Sequence, residues 1–258
     1  MSDEIKKVVQ DVFSKSKESY VQSSTHKSQN DLDLILNWVE PRPDWKVLDI
    51  ATGGGHVAKT LSPHVHRVFA TDLTKEMLQN TSSHLEKYAN IEYVIADAEN
   101  LPFLDESFDA VTCRIAPHHF PSPLQFIQES YRVLKPGGKW LMIDNVAPED
   151  PELDRFYNTF EKQRDPGHVR ALKKSEWNEM LRSQGFTIQK QLSRKKTLPF
   201  QDWVTRTLFT VPEQKAVEER FKQASQEMKE YFSIKEENHQ VHSFTIDELM
   251  VLVEKHSS

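Results

Sequence analysis

The chain has 258 residues, 37% hydrophobic and 28% charged, the balance of a folded globular protein and not of a disordered one. Its net charge of −6 and single short basic run, Lys190 to Lys196, weigh against a nucleic-acid partner, which calls for a basic face. One cysteine (Cys113) excludes an internal disulfide, no apolar run of roughly 18 residues is present to span a membrane, and the charged start, MSDEIKKVVQDVF, lacks the apolar core of a signal peptide, so the cytoplasm is the expected location.

Residues 3–17 and 31–39 read as helices; in the second, Leu32, Ile35, Leu36 and Val39 recur at helical spacing, and Pro41 and Pro43 stop it. The serine-rich stretch between them, Tyr20 to Asn30, suits a lid, so residues 1–44 are expected to form an N-terminal helical lid or cap. From Lys46 strands and helices alternate. Strands are expected at 45–50, 66–72, 91–97, 108–114 and 139–144, with helices at 55–61, 74–88 and 123–134, the last closed by Pro136-Gly137-Gly138. Helices between strands demand crossover connections and therefore a parallel, doubly wound α/β sheet.

Beyond Asp144 the periodicity weakens. A helix at 150–165 carries Leu153, Phe156, Tyr157 and Phe160 on one face; the aromatics suit ordinary core packing or, as the alternative, the lining of an apolar acceptor pocket. Ser175 is expected to cap a helix running to Ser183, and residues 202–232 to be helical. Strands at 186–200 and 248–255 bring the total to seven, with the basic run as a solvated edge. The segment RDPGHVR, 164–170, suits either an acceptor cover that binds anions or a surface loop with an internal ion pair.

Ligands of open α/β sheets bind beyond the carboxyl ends of the strands. Here those ends hold VLDIATGGGHVA (47–58), Asp72-Leu73, Asp97-Ala98, Arg114 to His119 and Asp144-Asn145. The pattern Gly53-x-Gly55-x-x-Ala58, with Asp72 placed for ribose hydroxyls, fits a dinucleotide fingerprint. It leaves a nicotinamide-dependent oxidoreductase open. Asp49 speaks for a different ligand: a carboxylate at the glycine turn suits an ammonium group and repels a pyrophosphate. S-adenosylmethionine carries an ammonium and a sulfonium and no phosphate, and Asp97 can accept the adenine amino N–H. His118 and His119, after the fourth strand, are the candidates for a general base. The scattered histidines show no metal-ligand spacing, so no metal is expected.

With VLDIATGGGHVA, VFATDLTKEML, ADAENLPFLDESFDAVTCRIAPHHF and YRVLKPGGKWLMID in this order, the stretch from Lys46 to Asp144 resembles class I S-adenosylmethionine-dependent methyltransferases of the ubiquinone/menaquinone-related subgroup. The resemblance implies a Rossmann-like core at 45–148 that binds S-adenosylmethionine. It also implies a last strand running antiparallel beside the fifth, and a 149–258 part that completes the sheet and forms the acceptor site. It places Asp49, Ala51, Thr52, Gly53 and Gly55 around the methionine moiety and ribose, and Asp72 on the ribose hydroxyls. Leu73 and Met77 fall beside the adenine, Asp97 and Ala98 on its edge, and Arg114 and Ile115 under the point where donor and acceptor meet. Ala51 departs from the pattern, which has glycine there. The implied activity is methyl transfer to a small molecule, a quinone-like ring being suggested by kinship; a cofactor-binding protein without chemistry is the remaining alternative.

Overall fold

The computed structural model describes residues 2–22 and 29–256, so residues 23–28 of the expected lid stretch lie outside the described residues. Strands β1 (Lys46–Ile50), β2 (Arg67–Asp72), β3 (Ile91–Ile95), β4 (Phe108–Arg114), β5 (Leu134–Val146), β6 (Phe186–Pro199), β7 (Lys235–Glu237) and β8 (Gln240–Lys255) form one sheet. Its order is β3-β2-β1-β4-β5-β8-β6, with β7 also paired to β8. β1 to β5 pair in parallel, while β8 runs antiparallel to β5, β6 and β7. The sheet thus has eight strands where seven were expected. β7, an exposed Lys-Glu-Glu, has no apolar alternation to announce it.

The helices are α1 (Ser2–Gln22), α2 (Gln29–Val39), α3 (His56–Leu61), α4 (Lys75–His84), α5 (Pro123–Val133), α6 (Pro151–Arg164), α7 (Lys174–Ser183), α8 (Phe200–Val204), α9 (Val211–Lys222) and α10 (Gln226–Tyr231). Ser175 does not cap α7: its hydroxyl donates to Glu149 Oε2 at 2.6 Å. Glu176 instead reaches back to the Lys173 N–H, 2.8 Å away, so the helix starts earlier.

Strand side chains alternate between two buried layers, as a pleat requires. Leu48, Val111, Trp140, Met142 and Val251 face the layer that includes Phe126, Ile127 and Trp177 of α5 and α7. Val47, Ala110, Leu141, Ile143 and Leu252 face the layer of Ile35, Val57 and Leu61 of α2 and α3. A third core sits past the carboxyl ends of the parallel strands. There Tyr157, Phe160, Trp203 and Phe221 pack with Leu198 of β6 and Phe244 and Ile246 of β8. β8 reaches it because it begins at Gln240, eight residues before the expected start, and joins both cores in one strand.

Candidate active site

Strand order reverses between β1 and β4, and a cleft opens beyond the ends of these strands. Asp49, Ala51, Thr52, Gly53, Asp72, Leu73, Met77, Asp97, Ala98, Arg114 and Ile115 line it, together with His119. Gly55 does not. It opens α3 at φ 74°, and a Cβ there would stand 2.5 Å from Thr81 Cγ2 and 2.6 Å from Leu85 Cδ1. Glycine at this position therefore serves the close packing of α3 on α4, not ligand contact.

β1 delivers Asp49 almost fully buried, where the Thr52 hydroxyl donates to Oδ2 at 2.6 Å and the Thr112 hydroxyl to Oδ1 at 2.7 Å. Burial pushes its pKa up to about 6, with the two hydroxyls and the Arg114 charge holding it from rising further. Asp72 accepts the Gly53 N–H at 3.1 Å and the Thr74 N–H at 2.9 Å, tying the glycine turn to the end of β2. Its pKa is also raised by burial, against those N–H donors. Ala51 holds φ 52°, a left-handed conformation that costs an alanine roughly 1 kcal/mol. The turn keeps the glycine geometry without the glycine.

Over the cleft lies α1. Lys6 Nζ sits 2.6 Å from both Asp97 Oδ2 and Glu99 Oε2, and Gln10 Nε2 donates to the Leu73 carbonyl at 2.9 Å. Burial works against the Lys6 charge, but the two carboxylates outweigh it and raise the pKa. Neither Lys6 nor Glu99 was singled out in the sequence. Glu99 follows Asp97 by two positions and had a signal in that spacing; Lys6, 91 residues from Asp97, had none.

The segment after β4 turns sharply. Ile115 holds φ 54°, an unfavourable value for a β-branched side chain, while its N–H donates to the Ile143 carbonyl at 2.7 Å. Ile115 and His119 also line a second, small chamber, shared with His118, Asn145, Arg164, Asp165, Lys196, Leu198, Trp203, Arg206 and Ile246. The two expected base candidates thus part company. His118 lies outside the cleft because Asp144 holds it: Nδ1 is 2.6 Å from Oδ1, and its backbone N–H donates to Oδ2 at 2.9 Å. Burial disfavours its protonation, yet the Asp144 charge and hydrogen bond outweigh burial and raise its pKa.

His119 stands at the junction, its ring centroid 4.2 Å from that of His118. Its Nδ1 is 2.9 Å from the Gly167 carbonyl; since a carbonyl only accepts, Nδ1 carries the proton and Nε2 is the basic nitrogen. Burial and the His118 charge depress its pKa to about 3. RDPGHVR, open between two readings in the sequence, is folded inward: Asp165 and His168 are buried, and Arg164 Nη2 is 2.6 Å from Glu161 Oε2. The basic run is not simply a solvated edge either. Arg194 Nε and Lys196 Nζ bond the wholly buried Glu248 at 2.7 and 3.0 Å. Among the described residues no group of three His, Cys, Asp or Glu side chains is placed to hold a metal ion.

The donor set fits S-adenosylmethionine and not a dinucleotide. Asp49, Asp72, Asp97 and Glu99 line the cleft against Lys6 and Arg114, a balance that suits an ammonium and ribose hydroxyls and opposes a pyrophosphate. A methyltransferase domain family matches residues 48–142. The uncharacterized methyltransferase YcgJ of Bacillus subtilis is 35% identical over 242 residues, 93% of this chain and 96% of its own. The chain belongs to the methyltransferase family. As a class I methyltransferase it uses S-adenosylmethionine. The methyltransferase is similar in structure to YcgJ (TM-score 0.85, 34% identity, 89% of this chain and 99% of that one). It is likewise similar to a protein from Bacillus halodurans (TM-score 0.86, 41% identity, 88% and 99%). The ubiquinone/menaquinone biosynthesis C-methyltransferase UbiE of Bartonella henselae is 38% identical over 132 residues, and the chain spans about half of its length. Among the described residues no helix is long and apolar enough to cross a membrane.

Proposed function

We propose that this methyltransferase transfers a methyl group to a small molecule seated in the chamber beside the cofactor cleft. The observation that carries this is the shared wall: Ile115 and His119 belong to both spaces, so an acceptor in the chamber meets the cleft across these two side chains. Bound S-adenosylmethionine supplies an electrophilic methyl group on a sulfonium. In this reading Asp49 faces its ammonium, the backbone of Ala51, Thr52 and Gly53 follows the methionine moiety, and Asp72 takes the ribose hydroxyls. Leu73 and Met77 pack on the adenine, Asp97 and the Ala98 N–H meet its edge, and Arg114 and Ile115 floor the transfer point.

Such a transfer asks chiefly for alignment. His119 Nε2, held neutral by its burial, accepts a hydrogen bond from the attacking O–H. It takes the proton as methylation makes that group acidic. His118 and Asp144 act behind it, fixing the ring and the local charge. α1 serves as the lid while α2 packs into the core layer, 45–148 form the cofactor core and 149–258 the acceptor side, in a cytoplasmic enzyme without a nucleic-acid partner. The test is methyl transfer from labelled S-adenosylmethionine into a whole-cell extract whose products are then separated into small molecules and macromolecules, with cofactor binding followed by calorimetry. Label in a small molecule is expected; tight cofactor binding with label only in macromolecules overturns the reading.

A further inference from the structure

We propose that the acceptor carries an acid group, a carboxylate or a phosphate, and that the chamber holds it by that group against Lys196. This rests on the small-molecule reading above and narrows it. Three cationic side chains, Arg164, Lys196 and Arg206, face the chamber against one carboxylate, Asp165. Asp165 is already engaged, with Oδ1 accepting the Gly167 N–H at 2.8 Å and Oδ2 3.4 Å from Arg164 Nη1. Arg164 is committed as well, to Glu161 at 2.6 Å and to the Trp203 ring, whose centroid lies 5.0 Å from its Cζ.

Lys196 differs. Glu248 takes one of its three ammonium donors at 3.0 Å and fixes the head group at the wall, which leaves donors by valence for a ligand. Arg206 approaches the same space from the segment after α8. Asn145 Oδ1 is buried there without a hydrogen-bond partner, a group that an acceptor N–H or O–H would satisfy. Leu198, Trp203 and Ile246 complete the wall and suit an apolar or ring body. Kinship points instead to a neutral quinone-like ring, but the motifs carrying that kinship end at Asp144, and the cationic wall comes from later residues. The acid group is a handle and takes no part in bond making.

To test this, a small-molecule extract of the source cells is split on an anion exchanger, and each fraction is incubated with the protein and labelled S-adenosylmethionine. Label is expected in products from the retained fraction. Lys196→Met should lower incorporation at limiting acceptor about tenfold or more, and Lys196→Arg should restore most of it. S-adenosylhomocysteine affinity, measured by calorimetry, should stay unchanged in both variants, which also reports that they fold. Phosphatase treatment of the retained fraction separates the two sources: lost acceptance marks a phosphate ester, surviving acceptance a carboxylate. Products arising only from the unretained fraction, or a Lys196→Met variant with unchanged incorporation, overturn the acid handle and leave methyl transfer standing. No label from any fraction overturns both.

Discussion

The cleft and the chamber share a wall but are built in opposite ways. The cleft is assembled largely from the ends of successive parallel strands, Asp49, Asp72, Asp97 and Arg114, and is rich in carboxylates. The chamber gathers residues from β5, the 164–170 loop, β6, α8 and β8, and is rich in cations. One side is made for a positively charged methyl donor. The other takes its cations from this chain's later half and its remaining wall partly from the segment after β4.

The largest effect expected from breaking this contrast is at the junction. His119→Ala should lower turnover about a hundredfold or more while leaving cofactor affinity within a few-fold. Steady-state kinetics beside calorimetry checks it, and normal turnover would remove His119 from the chemistry. Next, Asp72→Ala should weaken S-adenosylhomocysteine binding about a hundredfold, since it removes both the proposed ribose contact and the anchor of the Gly53 N–H. Unchanged affinity would mean that the cleft is misassigned.

A smaller effect should come from pH. Asp49, with a pKa raised to about 6, must lose its proton to face an ammonium, so affinity should fall as pH drops through 6. From pH 7.5 to 5 the loss should be about tenfold, with proton release on binding at the acid end, and Asp49→Asn should abolish the dependence. The smallest change belongs to Ala51→Gly. Relief of the left-handed strain and the greater freedom of glycine in the unfolded chain oppose each other, so thermal unfolding should shift by less than about 1 kcal/mol. A larger shift in either direction would mean that the Ala51 methyl does more than tolerate its conformation.

The cleft was legible because a strand end places its next residues locally; a sequence pattern suffices to put Asp49 or Asp72 on the ligand side. Gly55 misled because one glycine signature serves both close ligand approach and close helix packing, and only the distance to Thr81 separates them. The two histidines looked equivalent in sequence, and Asp144, 26 residues from His118, distinguishes them. Lys196 read as an edge residue because its partner, Glu248, lies 52 positions away. Charge that is compensated at long range has no local signature. The same holds for Lys6 across the cleft.

β8 has a consequence for how the molecule is made. It lies between β5 and β6, so a ribosome delivers both of its neighbours before delivering the strand that joins them. Until then the two flanking edges stay open and the third core lacks Phe244 and Ile246. Pairing of this kind, over long sequence separations, is slow. The proposed acceptor side is therefore the last part of the enzyme to become native during synthesis, and the part whose half-made form most needs protection from aggregation.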